Sequence, residues 1–310
     1  MPTERIDDAA PTLNAAQRGR ADLQRWVDAA PDNLYTDDLA LQALVRRHGL
    51  MDREPSLTQA GRDVAGPLDR VVRENNLARN LPVLDDWDAI GNFTAGVSHH
   101  PSWRTAGQLI YGTGIMAAYG EAETAPSPPH RYILALFYLT AQAGEAGHNC
   151  PLACAAGAIR TLQKLGTPTQ QQRYLRPLLD PDFRTNFTAS QFLTEVQGGS
   201  DVGANAVIAV PRGDGAEGQA AGSRWTISGE KWFCSNADAD VFLMTARVGP
   251  PSAGTRGLGL FLVPRLREDG QPNGFRIRRL KDKLGTRSMA SAELDFVDAE
   301  AEALGPVDAG

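Results

Sequence analysis

Apolar residues recur at three- and four-residue intervals through the first half of the chain. Leu39, Leu41, Leu44 and Val45 form one series, Leu109, Ile110 and Met116 a second, and Ile133, Leu136, Phe137 and Tyr138 a third. Such spacing lines up one face of a helix, so residues 31–182 are expected to form an all-α domain. Local punctuation supports this. In the run Leu165-Gly166-Thr167-Pro168-Thr169-Gln170, Gly166 is expected to end one helix in the left-handed conformation, and Thr167 to cap the next. Pro168 then takes the first helical position, with Gln170 placed to reach back to the cap. That helix is expected to stop before Pro177. Pro151, after His148-Asn149-Cys150, opens another apolar helix to Leu165, and Pro101 opens one after the His99-His100 loop.

Near Asp180 the period changes to two, in short stretches bounded by glycine. Residues 185–192, 241–247, 258–263, 275–279 and 292–297 read as strands. The stretches 225–227 and 231–233 read as two arms of a hairpin turning at Ser228-Gly229-Glu230, and the Gly- and Ala-rich 213–223 as a mobile loop. Strands that follow one another without intervening helices imply an antiparallel barrel or sandwich over residues 183–300. The fold class is therefore α+β, with a flexible segment at 1–30 and a linker at 301–310 that holds no closing helix or capping strand.

A length of 310 residues suits two domains with their own cores. Three cysteines, an odd number without framework spacing, suit a reducing cytoplasm, where the protein is expected to reside. The net charge of −6 gives no global positive field for nucleic acid or anionic membrane. Residues 1–17 lack the basic start and apolar stretch of a signal or transit peptide. No run approaches the roughly 18 to 20 apolar residues that span a bilayer, so no membrane partner is expected.

Two segments carry chemistry. In Leu193-Thr194-Glu195-Val196-Gln197-Gly198-Gly199-Ser200-Asp201-Val202, Thr194 offers a hydroxyl, the paired glycines let backbone approach a ligand, and Ser200 adds a hydroxyl beside amides able to cradle an anion such as a pyrophosphate. The same residues suit a bulge or a tight turn. In Lys231-Trp232-Phe233-Cys234-Ser235-Asn236, Phe233 and Ser235 lie two apart on a strand, so one can cover a flat ring while the other bonds to its edge. Phe233 as ordinary core is the alternative.

The two segments occur in order between Leu165-Gly-Thr-Pro-Thr-Gln170 and Lys283-Leu-Gly-Thr-Arg-Ser288, which is followed by Ala292-Glu-Leu-Asp-Phe296. From about Ser127 to the end the sequence resembles the acyl-CoA dehydrogenase superfamily. Asp32-Asn-Leu-Tyr35, Asn75-Asn-Leu-Ala-Arg79, His99-His-Pro-Ser-Trp103 and Arg279-Leu-Lys-Asp-Lys283 are most similar to its AidB-like branch, linked to the adaptive response to DNA alkylation. The resemblance implies an FAD flavoprotein that oxidises acyl-CoA-like substrates by hydride transfer to flavin, in homo-oligomers. It implies that Gln191, Phe192 and Leu193 line the isoalloxazine and that Thr194 bonds to it. Gly199 and Ser200 would serve the pyrophosphate, while Phe233, Cys234 and Ser235 cover the ring and meet its N5 and O4 edge. In the family the base that removes the α-proton is a glutamate of a second helical domain after the middle domain, which these residues do not contain. Glu195 is expected to be a loop residue rather than a substitute base. A non-catalytic flavin-binding protein, or a DNA-protection or interaction protein, is the rival reading.

Other constellations are read more plainly. His148, Cys150 and Cys154 lack a fourth metal ligand and are expected to be a helix-start histidine with two buried thiols. His99-His100 is likewise expected in a loop without metal. Arg276, Arg278, Arg279, Lys281, Lys283 and Arg287, opposed in sequence only by Asp282, are either a solvated strand face or a phosphate or DNA contact.

Overall fold

The computed structural model describes residues 13–121, 129–144, 147–212 and 220–307. The chain forms two compact units, Met1–Asp32 and Asn33–Gly310. Within the first, α1 (Ala15–Asp28) begins in a capping box: the Asn14 side chain accepts from Gln17 N and the Gln17 side chain accepts from Asn14 N, both at 2.9 Å. A helix therefore occupies much of the segment expected to be flexible, and residues 1–12 lie outside those described.

The second unit starts with α2 (Leu39–Arg47), α3 (Glu54–Asp63) and α4 (Asp69–Asn75), followed after a small sheet by α5 (Pro101–Tyr111), α6 (Pro129–Gln142) and α7 (Asn149–Leu165). Leu41, Val45, Leu57, Ile110, Ile133, Leu136, Leu152, Ile159 and Leu162 pack into one core, as their helical spacing predicts. Leu39 and Leu44 of the expected α2 stripe instead remain exposed. Inside the half expected to be wholly helical, β1 (Val83–Trp87) and β2 (Phe93–Ser98) form an antiparallel pair. Asp88 makes the turn by accepting from Ile90 N and Asn92 N.

After α7, Thr167 caps α8 (Pro168–Gln170) in the expected box with Gln170. Gly166, however, has φ −70° and ψ 136°, not a left-handed conformation. The Gln171 side-chain amide donates to the Leu162 and Gly166 carbonyls, so the helix end needs no left-handed turn to satisfy them. Nor does the helix stop before Pro177. A π turn, Gln171–Leu175, leads into α9 (Arg176–Leu178), and Pro177 stands in the first turn of α9, where its missing N–H costs least.

Seven strands form the main sheet: β3 (Ala189–Phe192), β4 (Ile208–Pro211), β5 (Arg224–Ser235), β6 (Val241–Arg247), β7 (Leu258–Pro264), β8 (Phe275–Leu280) and β9 (Ser291–Ala303). The pairings β6–β4, β4–β5, β5–β9, β9–β7 and β7–β6 close a ring, with β3 added to β6 and β8 to β9. The strand series is thus a barrel, as its short turns imply. Two pairings correct the expected antiparallel order: β3 runs parallel to β6 from Ala189–Val241 to Phe192–Met244, and β4 meets β6 in parallel at Ile208–Arg247.

The expected hairpin at 228–230 is absent; β5 runs straight through it as a twelve-residue strand. Gly229 sits there at φ +137°, with a Cβ position 2.9 Å from the Val207 Cα, so the glycine serves a close backbone approach rather than a turn. The real hairpin joins β4 to β5, with Ala209 opposite Ile227. Most of the loop expected to be mobile, 213–219, lies outside the described residues.

Every residue of β6 is buried. Val241 and Leu243 face the helical core, whereas Phe242, Met244 and Ala246 fill the barrel with Phe192, Cys234, Phe261, Ile277 and Phe296. A strand covered on both faces reads as one apolar run, which is the texture of 241–244. At the other end, β9 extends to Ala303 and Leu304 and Val307 are buried, so residues 301–307 of the expected linker close the barrel, while 308–310 lie outside those described. Among the described residues no helix is long and apolar enough to cross a membrane.

Candidate functional site

Two pins hold β3 against the end of β5. At one end Asn236 Nδ2 donates to Ala189 O at 3.3 Å and Ser190 Oγ donates to Asn236 O; at the other Trp232 N donates to Thr194 O at 2.9 Å. Residues 191–193 consequently face residues 233–235. The register of β5 against β9 slips between Lys231 and Cys234, so one extra residue bulges outward. Phe233 occupies that bulge at φ +54°, a left-handed conformation that a bulky side chain rarely adopts. The bulge turns Phe233 out to 58% exposure while Lys231 and Cys234 both point inward.

The loop after β3 is built on buried charge. Lys231 Nζ lies 2.8 Å from Glu195 Oε1 and donates to Leu193 O at 3.3 Å. Glu195 also accepts from Ala206 N at 2.6 Å, Val207 N at 3.3 Å and the Gln197 amide at 2.8 Å. Burial pushes the Glu195 carboxyl up, but the Ala206 amide and the Lys231 ammonium outweigh it and hold the group below its usual range. An acid saturated in this way is a structural anchor, not a base. Glu195 and Gly198 exchange backbone hydrogen bonds, Asn205 Nδ2 donates to Leu193 O, and Arg247 donates to the Asn205, Gly203 and Gly254 carbonyls.

On this scaffold the loop offers an open face. Leu193 is 39% exposed and Ser200 and Gly199 are exposed, and the N–H groups of Gly199 and Ser200 take no part in the loop's internal hydrogen bonds. A Cβ on Gly199 would stand 3.0 Å from Thr194 Oγ1, so glycine is what lets the two parts of the loop close. Free amides beside a hydroxyl, next to an exposed aromatic ring, fit an anion attached to a flat heterocycle.

Not every expected site residue presents its side chain there. Phe192 and Cys234 face the barrel core at 2% and 0% exposure, and burial pushes the Cys234 thiol up to about 12. The Gln191 amide donates to Cys154 O and packs on α7 at Gly157, where a Cβ would meet its Nε2 at 2.0 Å. Leu193, Thr194, Gly199, Ser200, Phe233 and Ser235 remain on the open side. Lys231, Asn205, Arg247 and the Phe233 bulge were not foreseen. A lysine at an apolar strand position was the available signal, because a buried ammonium requires a partner.

The remaining constellations are structural. His99 Nε2 lies 2.9 Å from Asp238 Oδ2, and the His99 ring stacks on Trp103. His100 caps α5, accepting from Ser102 N. His148 is buried at the start of α7 with Nε2 2.8 Å from Trp103 O, whereas Cys150 and Cys154, expected to be buried, are half-buried. Three cations of the basic run, Arg278, Arg279 and Lys281, are paired with carboxylates of β5 and β9. Arg278 binds Glu230 and Asp295, and Arg279 and Lys281 share Glu293. Lys283 donates to the Thr286 and Met289 carbonyls. Half of the run is thus a paired strand face.

The family described as "Adaptive response protein AidB N-terminal domain" matches residues 27–184, and "Acyl-CoA dehydrogenase, middle domain" matches residues 190–299. The putative acyl-CoA dehydrogenase AidB of Escherichia coli K12 is 34% identical over 275 residues, covering 86% of this chain and 48% of that protein. Among solved structures, the Bd2924 apo-form aligns with a TM-score of 0.80 at 29% identity, over 90% of this chain and 55% of that one. Caenorhabditis elegans ACDH-11 in complex with C11-CoA aligns with a TM-score of 0.78 at 26% identity, over 100% of this chain and 51% of that one. The chain thus spans about half the length of these relatives.

Proposed function

The chain belongs to the AidB-like branch of the acyl-CoA dehydrogenase superfamily, and we propose that it is the flavin-holding portion of an acyl-CoA dehydrogenase-like oxidoreductase that uses FAD. The observation that carries this reading is the pairing of an outward Phe233 with the free amides of Gly199 and Ser200, joined through the Trp232–Thr194 hydrogen bond. FAD, when bound, supplies a hydride acceptor for the β-carbon of an acyl thioester. Phe233 and Leu193 would cover the flat ring system and exclude water from it. Thr194 and Ser235 would supply hydroxyls toward its polar edge, and Gly199 and Ser200 would hold the pyrophosphate through their N–H groups and the Ser200 hydroxyl.

Glu195 takes no proton in this scheme, since its carboxylate is committed to four donors. A base for the α-proton would have to come from outside this loop. An acyl-CoA substrate is supported by the C11-CoA bound to the C. elegans relative. Homo-oligomers are expected from the family. Arg278 and Arg279 of β8 are engaged by Glu230 and Glu293, which weighs against these two residues as a DNA contact.

Equilibrium titration with FAD tests the reading. Quenching of flavin fluorescence with a saturable endpoint is expected; protein that stays colourless and leaves FAD fluorescence unchanged overturns it.

A further inference from the structure

Directly after β8, Lys281 runs its side chain under the two aromatic residues of the β5 bulge. Its ammonium lies 3.4 Å from the Trp232 ring centroid and 4.2 Å from that of Phe233, and its side chain is only 8% exposed. Glu293, itself almost fully buried, fixes the ammonium from below at 2.9 Å and is shared with Arg279. Phe233 nonetheless keeps more than half of its surface open to solvent. One part of the ring is thus occupied by a cation while the rest is free.

We propose that Lys281 is a positioning residue that tunes the flavin: held against Phe233 and Trp232, its ammonium favours the reduced, anionic form of the cofactor stacked on the open side of Phe233. The inference rests on the flavin reading above and adds to it a residue that neither loop contains. The physical basis is twofold. A cation against an aromatic face polarises the ring, drawing electron density toward itself and leaving the remainder a better neighbour for an electron-rich partner. The positive charge also acts directly through a poorly solvated layer, where screening is weak. Glu293 opposes the effect, but its charge is shared with Arg279.

A purely structural staple would hold the bulge and leave the cofactor's redox equilibrium alone, so the decisive readout is the midpoint potential of bound FAD. Spectroelectrochemical titration of the intact chain with FAD is compared for the parent, Lys281→Met and Lys281→Arg. Loss of the charge is expected to weaken binding of reduced relative to oxidised flavin about tenfold, which for a two-electron couple lowers the potential by about 30 mV. Lys281→Arg should restore the parent value. Glu293→Gln removes the opposing charge and should raise the potential, which provides an independent arm if the methionine variant does not fold. An unchanged potential in Lys281→Met or Glu293→Gln, with FAD bound, overturns the proposal and leaves the flavin reading standing. Absence of FAD binding in the parent chain overturns the flavin reading itself, and with it the tuning role.

Discussion

Lys231 and Glu195 form an ion pair at 2.8 Å with neither side chain more than 3% exposed, and that pair fastens the loop after β3 to the strand that carries Phe233. Removing one partner strands the other charge away from water. Lys231→Met or Glu195→Gln is therefore expected to cost about 3–5 kcal/mol of stability, with part of it recovered in Lys231→Met/Glu195→Gln, which removes both charges and keeps an acceptor for the Ala206 and Val207 amides. Urea denaturation measures this, and single variants as stable as the parent would contradict the assigned role.

Phe233 holds a left-handed backbone that glycine adopts without strain. Phe233→Gly should therefore be more stable than Phe233→Ala by about 1 kcal/mol, although both lose the ring. Thermal unfolding of the two variants decides it; an alanine variant at least as stable as the glycine variant would show that the bulge relaxes.

Ser200→Ala and Phe233→Ala are expected to weaken FAD binding more than Cys234→Ala, because Cys234 faces the barrel core. Fluorescence titration of free against bound FAD compares them, with a several-fold rise in dissociation constant anticipated for the first two. Equal losses in all three would place the ring elsewhere.

Burial depresses the His148 imidazole to about 4, so the folded protein keeps it neutral. The unfolded chain binds the extra proton between the ordinary value near 6.5 and about 4; stability from this group is complete above that window and lost as pH falls through it. The full window is worth about 3 kcal/mol, taken at about 1.4 kcal/mol for each pH unit of displacement. Denaturation midpoints of the parent and His148→Gln from pH 7 to 4 should converge by roughly that amount. A parent profile that parallels the variant would refute the assignment.

The helices, the barrel strands and the ligand loop were legible because each has a local signature: helical spacing in Ile133 and Leu136, alternation in β8, paired glycines in the loop. The β1–β2 sheet escaped because Asp85 and Asp86 give it no apolar alternation. Gly229 suggests a turn in the sequence because a glycine between two β-prone stretches looks the same whether the chain reverses or merely passes close to Val207. The inward Cys234 and outward Phe233 were hidden for a related reason. A one-residue bulge shifts which side chains face out, and it depends on β9, some sixty residues downstream in sequence by the Cys234–Ala292 pairing. Lys281 became visible as a partner of Phe233 only when β8 was laid beside β9.

The parallel pairing of β3 with β6 also bears on how the molecule comes into being. A strand in this register waits for a neighbour that begins at Val241, so the ribosome must release all of β4 and β5 before β3 has an edge to join. During that interval Ala189, which packs into the helical core, and Phe192, which packs into the barrel, are both unclaimed. Nascent chains paused before Arg247 should accordingly attract chaperones at the very segment that later cradles the ligand.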